Sequence, residues 1–589
     1  MLLTIGQVLN SNGYIVLNTK FNKLNGYFVR PVCRFFRDMR WLALWLPVAL
    51  MVPNVALSIT ENLDFLAATA NILLPFGVYL ILMSAWKRTG GMVLLMLPFM
   101  IFAGFQIVLL YLYGGSVIAV DMFLNVVTTN VSEATELLAN LLLAMAMVIL
   151  LYVPAIVWGI VSLCRKQTLV CAFRRKMVRW GAAFAGAGTV AVMAAYAFQS
   201  GYNFVYDTFP VNAASNLIEA CHRYSETSDH DVLAQDFRYR SEATHPADEP
   251  EIYMMVIGET SRGANWQLAG YKRPTNPRLS SQEGVVFFPR SISESNTTHK
   301  SVPMLMSFAS AENFDSIAYY KSILTAFKEA GFHTSFISNQ ERNRSFTEHF
   351  GNEADSVIYL SGTPGEAHPY DAEMIPLVRK IVADTTALKQ LIVLHSYGSH
   401  FLYRDRYPAE FSFFTPDNAV DASPGRRAEL INSYDNSIRY TDAFLSELID
   451  VLRQRKVRGA ILYAADHGED IFDDSRNRFL HASPKPTYWQ IHQATLIWLS
   501  PELSAGNPEM AAALERNGRE RISPQKSLFP TAMQLAGIRS PYVVDTLSLV
   551  SPRYSPAPPV YLDDLNRPLP LSSCGLTPAD TLRISPLLR

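Results

Sequence analysis

Charge is scarce in this 589-residue chain: Asp, Glu, Lys and Arg make up only 17% of it, against about 25% in an average soluble protein. The deficit lies in the first third. Neither sign is in surplus, since 51 Lys and Arg against 52 Asp and Glu leave a net charge of -1. That balance excludes a bulk polyelectrolyte role such as non-specific nucleic-acid binding. Cysteine is rare as well. The five (Cys33, Cys164, Cys171, Cys221 and Cys574) form no CxxC pair, so neither a thiolate zinc site nor a disulfide-dense scaffold is supported. Internal repeats and low-complexity tracts are absent. What the chain does have is a 49% share of hydrophobic residues, which excludes disorder as the main state. Its length calls for two or three folding units.

The apolar residues are concentrated in five stretches, 41–59, 66–86, 91–113, 137–163 and 181–199, each near the ~20 residues that span hydrocarbon as a helix. Lys20, Lys23, Arg30, Arg34, Arg37 and Arg40 precede the first. Lys87 and Arg88 follow the second, and Arg165, Lys166, Arg174, Arg175, Lys176 and Arg179 fill a loop after the fourth. The alternate loops carry Glu61, Asp64, Asp121, Glu133 and Glu136 and no basic residue. The positive-inside rule then puts the N-terminus in the cytoplasm and everything after about residue 200 outside it. The long basic approach argues against a cleaved signal peptide. Between the third and fourth spans, Asn125, Thr129 and Glu133 recur every four residues in DMFLNVVTTNVSEATELL, one polar stripe on a helix. Such a stripe suits either a solvated edge at the membrane surface or a lipid head-group contact.

Residues 201–250 turn polar and read as a connector. Beyond them short apolar runs, YMMVI (253–257), HTSFIS (333–338), LIVL (391–394) and ILYAA (461–465), alternate with helical patterns such as NSIRYTDAFLSELIDVLRQ. This alternation predicts an α/β domain over 251–553 with a mostly parallel, buried sheet. The Pro-rich tail, 554–589, is expected to be irregular surface chain.

Three of these runs end in ionisable residues: Glu259 after YMMVI, His395 and His400 after LIVL, and Asp466 and His467 after ILYAA. Ligands of open parallel sheets bind beyond the carboxyl ends of the strands, so these groups should meet at one rim. Each acid alone would be read as a helix cap. Together, two carboxylates and imidazole suit a borderline divalent metal, zinc above all, with a position open for catalysis.

The stretches VIGETSRGANWQLAGYKRPTNPRLS, NTTHKSVPMLMSF, HSYGSH, NSYDNSIRYTD and ADHGED, with a His at 481, resemble the membrane-bound phosphoethanolamine transferases of the alkaline-phosphatase/sulfatase superfamily, the group that includes lipid A modifying and mobile colistin resistance enzymes. The resemblance covers about residues 40–550. It implies five transmembrane helices (41–200, with an amphipathic periplasmic segment at 114–136) and a sulfatase-like α/β domain, in a bacterial inner membrane with catalysis in the periplasm, as a monomer. It also implies zinc held by Glu259, Thr298, Asp466 and His467, with Thr298, in T-x-x-S-V-P, as nucleophile. The run MLMSF behind Thr298 suggests a helix start, where backbone N–H groups favour a phosphate. His400 and His481 would bind the phosphoryl group or a second zinc and protonate the departing oxygen, with His395 in support. Lys300 would join the substrate-binding residues, and Asn125, Thr129 and Glu133 would hold the ethanolamine head of phosphatidylethanolamine. The lipid A enzymes carry a Cys before the nucleophile segment and several disulfides, whereas here the segment reads SESNTTHK and only Cys221 and Cys574 are available. Lipid A, a core sugar and a periplasmic glucan therefore stay open as acceptors. A glycerol phosphate transferase or a catalytically inactive sensor of the same superfamily are the alternatives.

Overall fold

A computed structural model describes residues 38–61, 63–128, 141–199, 202–360 and 368–588. The chain divides into two compact units, one from Met1–Tyr111 with Leu142–Ala214, the other from Leu112–Leu141 with Ser215–Arg589.

The first unit is helical. Among the described residues four helices are long and apolar enough to cross a membrane: Met39–Thr60, Phe65–Ala85, Leu142–Cys164 and Cys171–Phe198. A fifth crossing arises if Thr89–Leu95 and Leu97–Tyr113, bent by 53°, count as one. Phe65–Ala85 and Cys171–Phe198 pack backbone against backbone, since a Cβ on Gly77 would lie 2.3 Å from the Ala185 nitrogen. Small residues permit such approach where no hydrophobic effect drives helices together. Asn54 and Asn71 are buried in this apolar setting and bond to each other. Asn54 Nδ2 donates to the Asn71 carbonyl at 2.8 Å and to that of Phe209 at 2.7 Å, and the Phe209 N–H donates to Asn71 Oδ1 at 2.9 Å. The last helix corrects the sequence reading, which placed Arg174–Arg179 in a loop: helix begins at Cys171. Lys and Arg are good helix formers, and Arg174 donates to the terminal carbonyls of Ser84 and Ala85 at 2.9 and 3.1 Å, groups that a helix end leaves unpaired.

The second unit is built on a seven-stranded sheet. Its strands are β1 (Glu251–Gly258), β2 (Val285–Phe287), β3 (His333–Ser338), β4 (Ser356–Tyr359), β5 (Lys389–His395), β6 (Arg458–Ala465) and β7 (Thr495–Leu499). The spatial order is β2-β7-β6-β1-β5-β3-β4. All pairings are parallel except those of β7 with β6 and β2. Both faces are covered, which is why the central strands read as unbroken apolar runs. Tyr253, Met255 and Ile257 join one core with Leu324, Phe327, Phe529 and Met533. Met254 and Val256 face the other, with Leu445, Leu448 and Leu452 of the helix Arg427–Arg455. Register pairs Ile257 with both His395 and Ala464, so Glu259, Ser396 and Asp466 follow directly at one rim.

The connector after residue 201 contains the helix Val211–Ser228. One further expectation is corrected. The tail is ordered: strands Val560–Leu562 and Pro568–Pro570 pair, and a helix runs over Pro578–Leu588. Its apolar residues Tyr561, Leu571 and Ile584 bury against Ile292 and Ile491, partners too distant in sequence for the prolines to reveal.

Candidate active site

Each side chain at the rim arrives by a different route. Glu259 leaves the end of β1 and is buried. The next residue, Thr260, holds φ at +56°, an uncommon conformation for a β-branched residue and a form of strain that clusters at functional sites. In that pose its Oγ1 donates to Glu259 Oε1 at 2.7 Å and its N–H to Asp466 Oδ1 at 3.0 Å. Thr298 is the first residue of the helix Thr298–Leu305. Its Oγ1 lies 3.4 Å from Glu259 Oε1 and 3.2 Å from His467 Nε2. Asp466 and His467 follow β6, with Asp466 Oδ2 at 3.1 Å from His467 Nε2. Glu259, Thr298, Asp466 and His467 thus converge, although they are scattered over some two hundred positions.

The protons of this cluster identify what it can hold. His467 Nδ1 donates to the Gly468 carbonyl at 2.8 Å, and burial keeps the ring well below its usual pKa, hence neutral. Nε2 is then a bare lone pair. It faces Asp466 Oδ2, a buried oxygen without a hydrogen-bond partner, and Glu259 Oε1 at 3.8 Å. The Thr298 hydroxyl stands within reach of both His467 Nε2 and Glu259 Oε1, while Thr260 and Gln340 also donate to Glu259. Burial first, and repulsion from Asp466 second, push Glu259 up to about 8; burial likewise raises Asp466 to about 6. Converging acceptors with a surplus of negative charge and one backbone-pinned imidazole are the donor set of a divalent cation. An overlapping triad, Glu259, His467 and His481, also offers ligand atoms within 4.8 Å of one another.

The remaining predicted residues divide. The ring of His481 lies 4.2 Å from that of His467 and 6.2 Å from that of His400. Burial opposes its charge, but Glu469, 3.4 Å from His481 Nδ1, outweighs this with help from Glu259 and Asp466 and raises it to about 9. His400 donates from Nδ1 to the Phe401 carbonyl at 2.6 Å, and burial with Arg406 beside it takes it down to about 3. His395 faces away, against Ser338 Oγ at 3.4 Å and the ring of Phe336. Lys300, expected to bind substrate, pairs instead with Asp121 at 2.7 Å, fully buried. Asn125 is half-buried on the helix Val120–Thr128, whereas Thr129 and Glu133 lie outside the described residues. Cys221 and Cys574 are both free.

Sequence reasoning missed two contributors. Gln340, shortly after β3, donates to Glu259 Oε2 at 3.1 Å and to the Ser396 carbonyl at 3.0 Å. Glu469, within the ADHGED stretch, is fully buried and faces His481. Position at the strand-end rim was the available signal for both. The HSYGSH loop is held by Asp371, which accepts from the N–H groups of Tyr397 and Gly398 at 2.8 and 3.0 Å.

Residues 252–538 match the sulfatase family model. A phosphoethanolamine transferase EptA of Salmonella typhimurium is 29% identical over 303 residues, half of this chain and 55% of its own length. The Kdo(2)-lipid A phosphoethanolamine 7''-transferase of Escherichia coli is 29% identical over 349 residues, 56% of this chain and 60% of its own. The chain thus spans little more than half the length of these curated relatives. Among solved structures, the zinc complex of the periplasmic domain of Escherichia coli EptC superposes with a TM-score of 0.52 at 25% identity, covering 58% of this chain and 97% of that one. The integral membrane EptA of Neisseria meningitidis shares the fold over 87% of this chain and 97% of its own, with a TM-score of 0.68 at 19% identity. Over residues 252–538 the chain is thus similar to the sulfatase family, and its fold is that of the solved phosphoethanolamine transferases.

Proposed function

We propose that this chain is a phosphoethanolamine transferase of the bacterial inner membrane. It would move phosphoethanolamine from phosphatidylethanolamine to lipid A or another envelope glycan, with its catalytic unit in the periplasm. The observation that carries the reading is the convergence of a threonine hydroxyl with two buried carboxylates and a neutral imidazole. The names of the relatives and the zinc complex of a neighbour support the group transferred and the metal.

Glu259, Thr298, Asp466 and His467 would hold the zinc. Bound there, zinc would lower the pKa of the Thr298 hydroxyl and polarise a phosphoryl oxygen. Thr298 Oγ1 forms the new bond to phosphorus while the phosphorus–oxygen bond to diacylglycerol breaks, leaving phosphoethanolamine on Thr298. His481, kept charged by Glu469, donates the proton that the departing oxygen needs. An acceptor oxygen then attacks the same phosphorus, gives its proton back to the site, and frees Thr298. Neutral His400 lies beside His481 and offers Nε2 to a phosphoryl group.

The test is mass spectrometry of envelope lipids and glycans from cells with and without the chain, together with Thr298→Ala. A phosphoethanolamine adduct of +123 Da, the mass of the transferred group, should appear on one acceptor class and vanish in the Thr298→Ala variant, which should still fold and bind zinc. An adduct that persists in the variant removes Thr298 from its role; no adduct in any fraction rejects the transferase reading.

A further inference from the structure

The helix that presents Thr298 starts without the usual support: its N-cap, Thr297, makes no side-chain capping hydrogen bond, a contact that ordinarily holds the first turn of a helix. The turn is held from two other sides. On one, Ser301 Oγ donates to the Asp466 carbonyl at 2.6 Å. On the other stands Asp121, from the segment between two apolar helices, which belongs to the same compact unit as the site. Its Oδ2 lies 2.7 Å from Lys300 Nζ and its Oδ1 3.1 Å from His299 Nε2, with Arg223 Nη1 at 3.8 Å. Lys300 Nζ also donates to the Asp563 carbonyl at 2.8 Å. Asp121 is itself fixed. The two oxygens of Asp564 accept from the N–H groups of Val120 and Asp121 at 2.9 and 3.0 Å, capping the helix Val120–Thr128 from the far end of the chain. Asn216 holds the Ile118 carbonyl at 2.7 Å, and Tyr113 Oη donates to the His481 carbonyl at 2.8 Å.

We propose that Asp121 is a positioning residue for the nucleophile: its carboxylate, gripping His299 and Lys300, sets the rotation and axial placement of the helix that Thr298 begins. Two features make the contact decisive. Lys300 is only two residues beyond Thr298, so a shift of its ammonium moves the hydroxyl with it. Both partners are also buried, and a buried charge that loses its partner forces rearrangement rather than passive loss of a contact. The inference rests on the transferase reading and deepens it. Asn125, one turn beyond Asp121, lies on the same face of the same helix. A head group seated at Asn125 would be registered to Thr298 through one carboxylate.

The experiment uses the purified full-length protein with fluorescent phosphatidylethanolamine and reads the release of labelled diacylglycerol, the donor half of the reaction. Wild type against Thr298→Ala tests the transferase reading by itself. Given an active wild type, Asp121→Asn, Lys300→Met and the double variant test the inference. Lys300→Met leaves Asp121 with His299 and Arg223 and should fold even where Asp121→Asn does not. Misplacement of a reacting atom by about 1 Å costs on the order of 100-fold in rate, so each single variant should lose roughly 10- to 100-fold in kcat with KM for the donor unchanged. The double variant should lose no more than the worse single one. Folded variants that turn over within twofold of wild type, a loss confined to KM, or losses that multiply in the double variant would each overturn the proposal.

Discussion

Gly398→Ala is a sharp probe of how the Glu259 carboxylate, proposed to bind zinc, is held. Gly398 sits in the HSYGSH loop with φ at +52°, and a Cβ there would fall 2.6 Å from the Glu259 carbonyl oxygen and 2.8 Å from its nitrogen. A left-handed non-glycine residue costs about 1–2 kcal/mol, and overpacking a filled site about 1–3 kcal/mol more. The total, about 2–5 kcal/mol, is relieved only if something moves. The loop resists, because Asp371 ties down both the Tyr397 and Gly398 N–H groups. Glu259 must therefore yield by the gap between 2.6 Å and the 3.4 Å of an ordinary contact, breaking the Ser399 N–H bond to its carbonyl. A displacement of that order predicts roughly 10- to 100-fold slower turnover together with reduced zinc content by inductively coupled plasma mass spectrometry. Gly270→Ala is the control: its φ is +92°, but nothing lies within 4 Å of the new Cβ. It should lower the melting temperature and leave turnover and zinc intact. A Gly398→Ala protein with wild-type zinc and turnover would refute the claim that this loop fixes Glu259.

Two other outcomes are expected. Burial opposes the charge on His481 and Glu469 sustains it, so Glu469→Gln should move the alkaline limb of the pH–rate profile toward lower pH, the ring losing its proton earlier as pH rises; an unmoved limb would show that His481 is not the proton donor. In the helical unit, Asn71→Leu removes the Oδ1 that accepts from the buried Phe209 N–H and should destabilise by about 1–3 kcal/mol, read as a lower melting temperature in detergent; an unchanged value would show that water or lipid satisfies that group.

The gap between what the sequence foretold and what the fold did has a consistent origin. The apolar helices were legible because each carries its own signal, a run of hydrophobic length, and the central strands because burial on both faces leaves them almost wholly apolar. Where the reading failed, the deciding partner was remote. Arg174 looks like loop until the carbonyls of Ser84 and Ala85 stand opposite it. The tail looks irregular until Ile292 and Ile491 supply a core for it.

The candidate site shows the same division. Residue type and placement after buried strands were enough to single out Glu259, Asp466 and His467, since the carboxyl ends of parallel strands share a rim whatever the details. Thr298 came from the resemblance of its motif. Which nitrogen of His467 is free, that Lys300 is paired with Asp121, and that Gln340 stands behind Glu259 and Glu469 behind His481 depend on distances between segments up to hundreds of residues apart. Local pattern determines which elements form and which ends they present. The protonation of each group, and the partner that holds it, follow from packing, because desolvation and Coulomb forces act through space and not along the chain.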